Sequence, residues 1–256
     1  MTANPKPTAE DSVLRKSLYL VSLQPQHIRA DDVRLIVSVE HSAPRPFPFS
    51  RIERIVSGPN AQWRGQAIAA CLSRDIPIIW LDNSNHPVGD SHPLYREGGT
   101  LHQALQHYLD LPDCIERYAN WLKSQRMDSL NRLRSQGQLG WIDAARHLKD
   151  YVYKNNPLSQ PSPALRAASQ SIVNSKLAQT HTRTRYWGPD GQPLELASDM
   201  AHLLSMEYHM GHPDQPKEAK LQIHHFETWW KGAGPWLERI LSDLHRHISN
   251  EVETWL

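Results

Sequence analysis

Residues 50–89, SRIERIVSGPNAQWRGQAIAACLSRDIPIIWLDNSNHPVG, decide how the chain folds. The stretch opens with a short apolar run at 52–56, closed by Gly58. Trp63, Ala67, Ile68, Cys71 and Leu72 then recur at i, i+4, i+5, i+8 and i+9, one face of a helix. A continuous apolar run follows at 76–81 and ends in Asp82, Asn83, Ser84 and Asn85, whose short polar side chains favour a turn. The pattern predicts a strand–helix–strand unit whose second strand is apolar on both sides and therefore buried on both faces.

Before it, residues 1–16 carry Pro5, Lys6, Pro7, Glu10 and Asp11 and are expected to form a mobile leader. Strands are expected at 18–21, around Ile28 and at 33–39, separated by turn-prone pieces. Pro44, Pro46 and Pro48 each lack a ladder donor, so their segment is expected to be a loop. After it, residues 90–100 hold Pro93 and the pair Gly98-Gly99 and read as a linker. The apolar period then changes from 2 to 3.6. Leu101, Leu105, Tyr108 and Leu109 share a face, and Ile115, Tyr118, Ala119, Leu122, Arg126, Leu130 and Leu133 continue the pattern. A helix is expected on Ile142, Ala145, Leu148 and Val152, and another from 162 to 176 with Ser162 as cap and Pro163 in the first turn. The remainder, ending in a Trp-rich segment, reads as helical too. The fold class is α+β: a β-rich domain over 17–95, then an all-helical domain over 96–256.

A hydrophobic fraction of 39% over 256 residues, with nine Trp, is enough to build cores and excludes wholesale disorder. Net charge is +1, so any signal for an anionic partner must be local. Cys71 lies on a helix face and Cys114 is the only other cysteine. One bridge is possible, but a helix-face Cys is more often a small core residue, and the usage fits a reducing cytoplasm best. No apolar run approaches the ~20 residues of a membrane span.

The local charge signal lies between Tyr151 and Pro189. That segment has no Asp or Glu but holds Lys154, Arg166, Lys176, Arg183 and Arg185 among Gln, Asn, Ser and Thr. Such a mixture suits a phosphate backbone, although a solvated polar surface has the same composition. Nucleophilic catalysis has no support, since no Gly-x-Ser-x-Gly elbow and no Gly-rich phosphate loop are present. His209, His212 and Asp214, and His224, His225 and Glu227, form two groups that could suggest zinc. Gly211 and Pro213 break the first, adjacent His224 and His225 point to different helix faces, and 15 His make chance groups expected.

The runs at 52–56, 70–72, 75–78 and 81–89, in that order, resemble the amino-terminal domain of the CRISPR-associated spacer-acquisition integrase, the larger of the two adaptation subunits. The resemblance extends from about Leu18 to about Leu133. It implies a homodimer, or a heterodimer with a related chain, formed through the β domains; a small adaptation-partner subunit; and capture of short double-stranded DNA. It also implies a Mg²⁺- or Mn²⁺-dependent endonuclease and strand-transfer activity, if the chain is active. The helix after the linker carries a Lys/Arg-Gln pattern in that family, and Lys123 and Arg126 look like it.

The motif at 179–187 resembles the family's catalytic helix, in which a Glu stands seven residues before a Tyr. Seven residues before Tyr186 is Gln179, a neutral amide without the charge a hard divalent cation requires. A second alignment takes His181 as the family's His ligand and Asp199 as its Asp, leaving the Glu position near Trp141 to Asp143, again without a Glu. Gln179, His181 and Asp199 are thus the catalytic positions the resemblance implies, with His181 and Asp199 as metal ligands. The alternative to activity is a structural or partner-docking subunit that positions DNA.

Overall fold

The computed structural model describes residues 15–92, 99–137, 161–212 and 214–255. Residues 1–14 of the expected leader, the centre of the linker and the helix expected on 142–152 lie outside the described residues, as does Lys154, while Lys16 at the leader's end already belongs to a strand.

The amino-terminal head follows the order β1 (Lys16–Leu20), β2 (Gln26–Ala30), β3 (Arg34–Val39), β4 (Arg45–Pro48), a single 3-10 turn, β5 (Ile52–Ser57), β6 (Ala61–Trp63), α1 (Gly65–Leu72), β7 (Ile78–Leu81) and β8 (Pro87–Ser91). One sheet has the order β1-β5-β7-β8 and the other β4-β3-β2-β6. The expected strand–helix–strand unit is β5-α1-β7, with β5 and β7 parallel and Val56 opposite Ile79. Burial on both faces follows from the pleat. Ile78 enters the head core with Ile55, Ala67 and Cys71, while Ile79 turns the other way and meets Val56, Leu81 and Ala167 of the helical body.

The proline segment is a strand, which corrects the expected loop. β4 pairs antiparallel with β3, setting Phe47 opposite Leu35, and it forms the edge of its sheet. Prolines at 44, 46 and 48 alternate with Arg45, Phe47 and Phe49, so the residues without a donor share one backbone side. Phe49 still donates its N–H to the Val33 carbonyl. At a sheet edge one backbone side needs no partner, and there proline is tolerated.

Among the described residues, five helices form the body: α2 (Thr100–Leu109), α3 (Cys114–Ser135), α4 (Pro163–Gln179), α5 (Leu196–Gly211) and α6 (Ala219–Trp255). The expected apolar faces are the buried ones: Leu101, Leu105, Tyr108 and Leu109 on α2, and Tyr118, Leu122, Leu130 and Leu133 on α3. Phe226, Trp236, Leu237, Leu244 and Ile248 of α6 close the core begun by α2 and the first half of α3, while Leu130 and Leu133 pack with Met206 and Met210 of α5. A two-rung hairpin, β9 (Tyr186–Trp187) with β10 (Pro193–Leu194), adds to the helices. Gly191 turns it at a φ of +71°, which glycine adopts without strain. Both cysteines are buried thiols.

Head and body are joined through α4. Ala164, Ala167, Ala168, Ser169, Ser171 and Ser175 keep this helix thin, so the first sheet and α5 both pack closely against it. Arg54 of β5, 1% exposed, locks the joint. Its Nε donates to Ser171 Oγ at 3.0 Å, and its other nitrogens reach Glu227 of α6 at 2.8 Å and Glu53 at 2.9 Å. Ser17 and Tyr19 donate to the same Glu227 oxygen.

Candidate nucleic-acid interface

Arg166 and Gln170 stand one turn apart on the face of α4 left open by the sheet and α5. The start of α5 contributes Ser198, Asp199 and, one turn on, His202, while α3 contributes Arg126. His86 and Pro87, at the entry to β8, form the opposite wall. Together they line an open cavity of about 380 Å³. A second hollow of about 630 Å³ shares Pro87, Gln170 and Ser198 and continues past Gly89 and Asp90 to Thr184, Arg185 and Glu195. The two form one trough between the β8 hairpin and the helices.

Why the trough takes this shape is readable locally. Ser162 caps α4 by accepting the Leu165 N–H at 3.1 Å, and Pro163 opens the first turn. The β9–β10 hairpin feeds directly into α5 and is fixed by the Tyr186 hydroxyl, 2.8 Å from His102 Nδ1 of α2. Asn174 of α4 donates to Asp90 of β8 at 2.9 Å and so holds the opposite wall.

Within the cavity, burial pushes the Asp199 carboxyl up to about 6, against the pull of the Tyr118 hydroxyl and of Arg126. Burial, with Arg126 and Arg166 adding repulsion, pushes the His202 imidazole down to about 4. At neutral pH the helix side of the cavity therefore holds two guanidinium charges, one carboxylate and the neutral imidazole of His202. The Nε of Arg126 and of Arg166 are both buried without a partner, and neither side chain forms an ion pair among the described residues.

Of the residues singled out from sequence, Arg126, Arg166, Arg185 and Asp199 line this trough. Arg185 is ion-paired with Glu195 at 2.7 Å and lies over the Trp187 ring. Lys176 is engaged by Glu238 at 2.6 Å, and Lys123 is exposed and donates to Asn120. Arg183 is exposed, its backbone N–H donating to the Tyr186 hydroxyl. Gln179, at the end of α4, reaches Ser175, and His181 sits exposed on the following turn at a φ of +51°. Neither lines the cavity that holds Asp199. The turn at 180–181 is pressed against the start of α2 instead: a Cβ on Gly99 would fall 2.3 Å from the Thr180 carbonyl oxygen.

A divalent ion of the Mg²⁺ or Mn²⁺ type requires several oxygen ligands. The cavity supplies a single carboxylate between two guanidiniums, and among the described residues no three His, Cys, Asp or Glu side chains converge. This donor set does not fit such an ion. The two histidine groups of the carboxyl-terminal third are used otherwise: His225 meets the Tyr208 hydroxyl at 2.6 Å, and His212 stacks on the Tyr208 ring.

His202 was not singled out from sequence, although its i, i+3 spacing from Asp199 puts both on one helix face. Gln170, four residues after Arg166, likewise shares its helix face. The β8 wall carries no charge pattern that reveals it.

The chain thus combines a β-rich head with a helical body and a trough at their junction. The sequence profile of the family described as CRISPR associated protein Cas1 matches residues 19–187, and the chain belongs to that family. No curated protein matches it. Among solved structures, a Cas1 protein from Thermotoga maritima is 13% identical with a TM-score of 0.65, over 91% of this chain and 97% of that one. A TtCas1–DNA complex gives 12% and 0.59, covering 91% of each chain. A casposase bound to integration product gives 11% and 0.55, over 92% of this chain and 91% of the other. At such identities these likenesses establish the fold. Among the described residues no helix is long and apolar enough to cross a membrane.

Proposed function

We propose that this protein is a subunit of a CRISPR adaptation complex that holds short double-stranded DNA along the trough between β8 and helices α3, α4 and α5. The observation that carries the reading is the convergence of Arg126, Arg166 and Arg185, from three separated segments, on one open trough. Arginines there release counterions from a phosphate backbone, and Ser198, Thr184 and Gln170 offer neutral groups that fix register. Family membership supports an adaptation integrase role, and solved proteins of the same fold include one in complex with DNA and one bound to an integration product. A small adaptation-partner subunit, and a second copy or a related chain docked through the β-rich head, complete the assembly in this reading.

In the family's chemistry a divalent ion assists attack of a 3′-hydroxyl on a phosphodiester. The described donor set favours the positioning role over the catalytic one, with transfer performed by a related chain. The test is duplex binding at graded salt, followed by incubation with Mg²⁺ or Mn²⁺ and a branched or repeat-bearing DNA. Binding is expected to weaken in Arg183→Ala/Arg185→Ala to a similar degree for every sequence, with no cleavage or strand transfer by the wild type. Unchanged affinity in the double variant contradicts the interface. Metal-dependent cleavage by the pure protein contradicts the positioning-only role.

A further inference from the structure

The cavity at the α3 end of the trough is built for an anion. Arg126 and Arg166 approach it from different helices, and the buried Nε of each has no partner. Neither guanidinium is neutralised by an ion pair among the described residues, so an anion entering the cavity meets two uncompensated cations whose forks it can engage. Ser198, in the first turn of the sixteen-residue helix α5, adds a hydroxyl beside the positive end of that helix. Among the described residues that line it, the opposing charge is Asp199 alone.

We propose that Arg126 and Arg166 form a seat for one phosphate group, held by guanidinium forks without a divalent ion. A guanidinium presents parallel N–H donors that match two phosphate oxygens, and two of them from different helices grip a tetrahedral anion from two sides. The seat occupies the position where Asp199 was expected to help hold a metal, and it reverses the sign of the ligand there. Only the identity of the phosphate's owner, a nucleic-acid strand, rests on the function proposed above.

The experiment titrates the EDTA-treated full chain with inorganic phosphate, and separately with a labelled duplex bearing either hydroxyl or 5′-phosphate ends. Saturable phosphate binding is expected in EDTA, unchanged by added Mg²⁺. It should weaken roughly tenfold or more in Arg126→Gln/Arg166→Gln. Arg126→Lys and Arg166→Lys keep the charge but lose the fork and should give intermediate losses, with circular dichroism and melting temperature checking the fold. Phosphate binding that requires Mg²⁺ or Mn²⁺, that persists in the glutamine double variant, or that is absent altogether overturns the seat. Phosphate bound at these arginines by a chain that ignores duplexes leaves the seat standing and sinks the DNA reading. Duplex binding without phosphate binding does the reverse. A preference for phosphorylated ends assigns the seat to a terminal phosphate, and indifference assigns it to an internal one.

Discussion

Arg54 shows how a single residue holds the head to the body. Burial works against its charge, but Glu227 and Glu53 outweigh that and hold its pKa above the ordinary value. Arg54→Leu removes the counter-charge from Glu227, whose side chain keeps 24% of its surface in solvent. The expected cost is about 2–3 kcal/mol, below the full penalty for an orphaned buried charge, read as a lower urea midpoint. Asp199 and His202 make a second residue-scale prediction, because their burial acts oppositely on stability. The folded chain binds the Asp199 proton more tightly than the unfolded chain does, so this group's contribution falls as pH rises from about 3.8 to about 6. The folded chain binds the His202 proton less tightly, so that contribution falls as pH drops from about 6.5 to about 4. Each is worth roughly 3 kcal/mol at most, and together they nearly cancel. Asp199→Asn should therefore expose a loss of stability on acidification through this window, and His202→Gln a gain. Parallel urea titrations across the window check both; curves of unchanged shape contradict the assignment.

Among the elements, α4 carries most of the architecture, and its first turn was legible in the sequence. Ser162-Pro163 before an apolar run marks the start, and the structure adds that the Ser162 hydroxyl also donates to Gln222 of α6. Ser162→Ala is expected to cost about 1–2 kcal/mol by freeing the Leu165 N–H and leaving buried Gln222 short of a donor; a melting curve measures it. The β5-α1-β7 unit was legible for a similar reason, since its signals are contiguous. β4 was not, because its prolines fit both a loop and an edge strand, and the choice rests on β3, which comes to lie on one side only. The hairpin before α5 has two rungs, too short for an alternating pattern to register.

At the scale of the whole molecule, the division into head and body was legible from the change in apolar period, whereas their docking was not. Arg54 and Glu227 lie 173 residues apart, and the trough exists only because β8 and α4 face each other across that joint. Charge composition along the chain marked Arg166 and Arg185 as candidates, and the family resemblance marked Arg126, but neither could separate them from Lys176, which the fold commits to Glu238. The account's central claim is that the three trough arginines meet a phosphate backbone. Its most direct test is the slope of log affinity against log salt for a short duplex, comparing wild type, Arg126→Gln/Arg166→Gln/Arg185→Gln and a control, Arg246→Gln, whose exposed guanidinium pairs with Asp243 on α6. The account predicts a slope shallower by about one for each trough arginine removed, with no change in the control. A triple variant with the wild-type slope and affinity would contradict it.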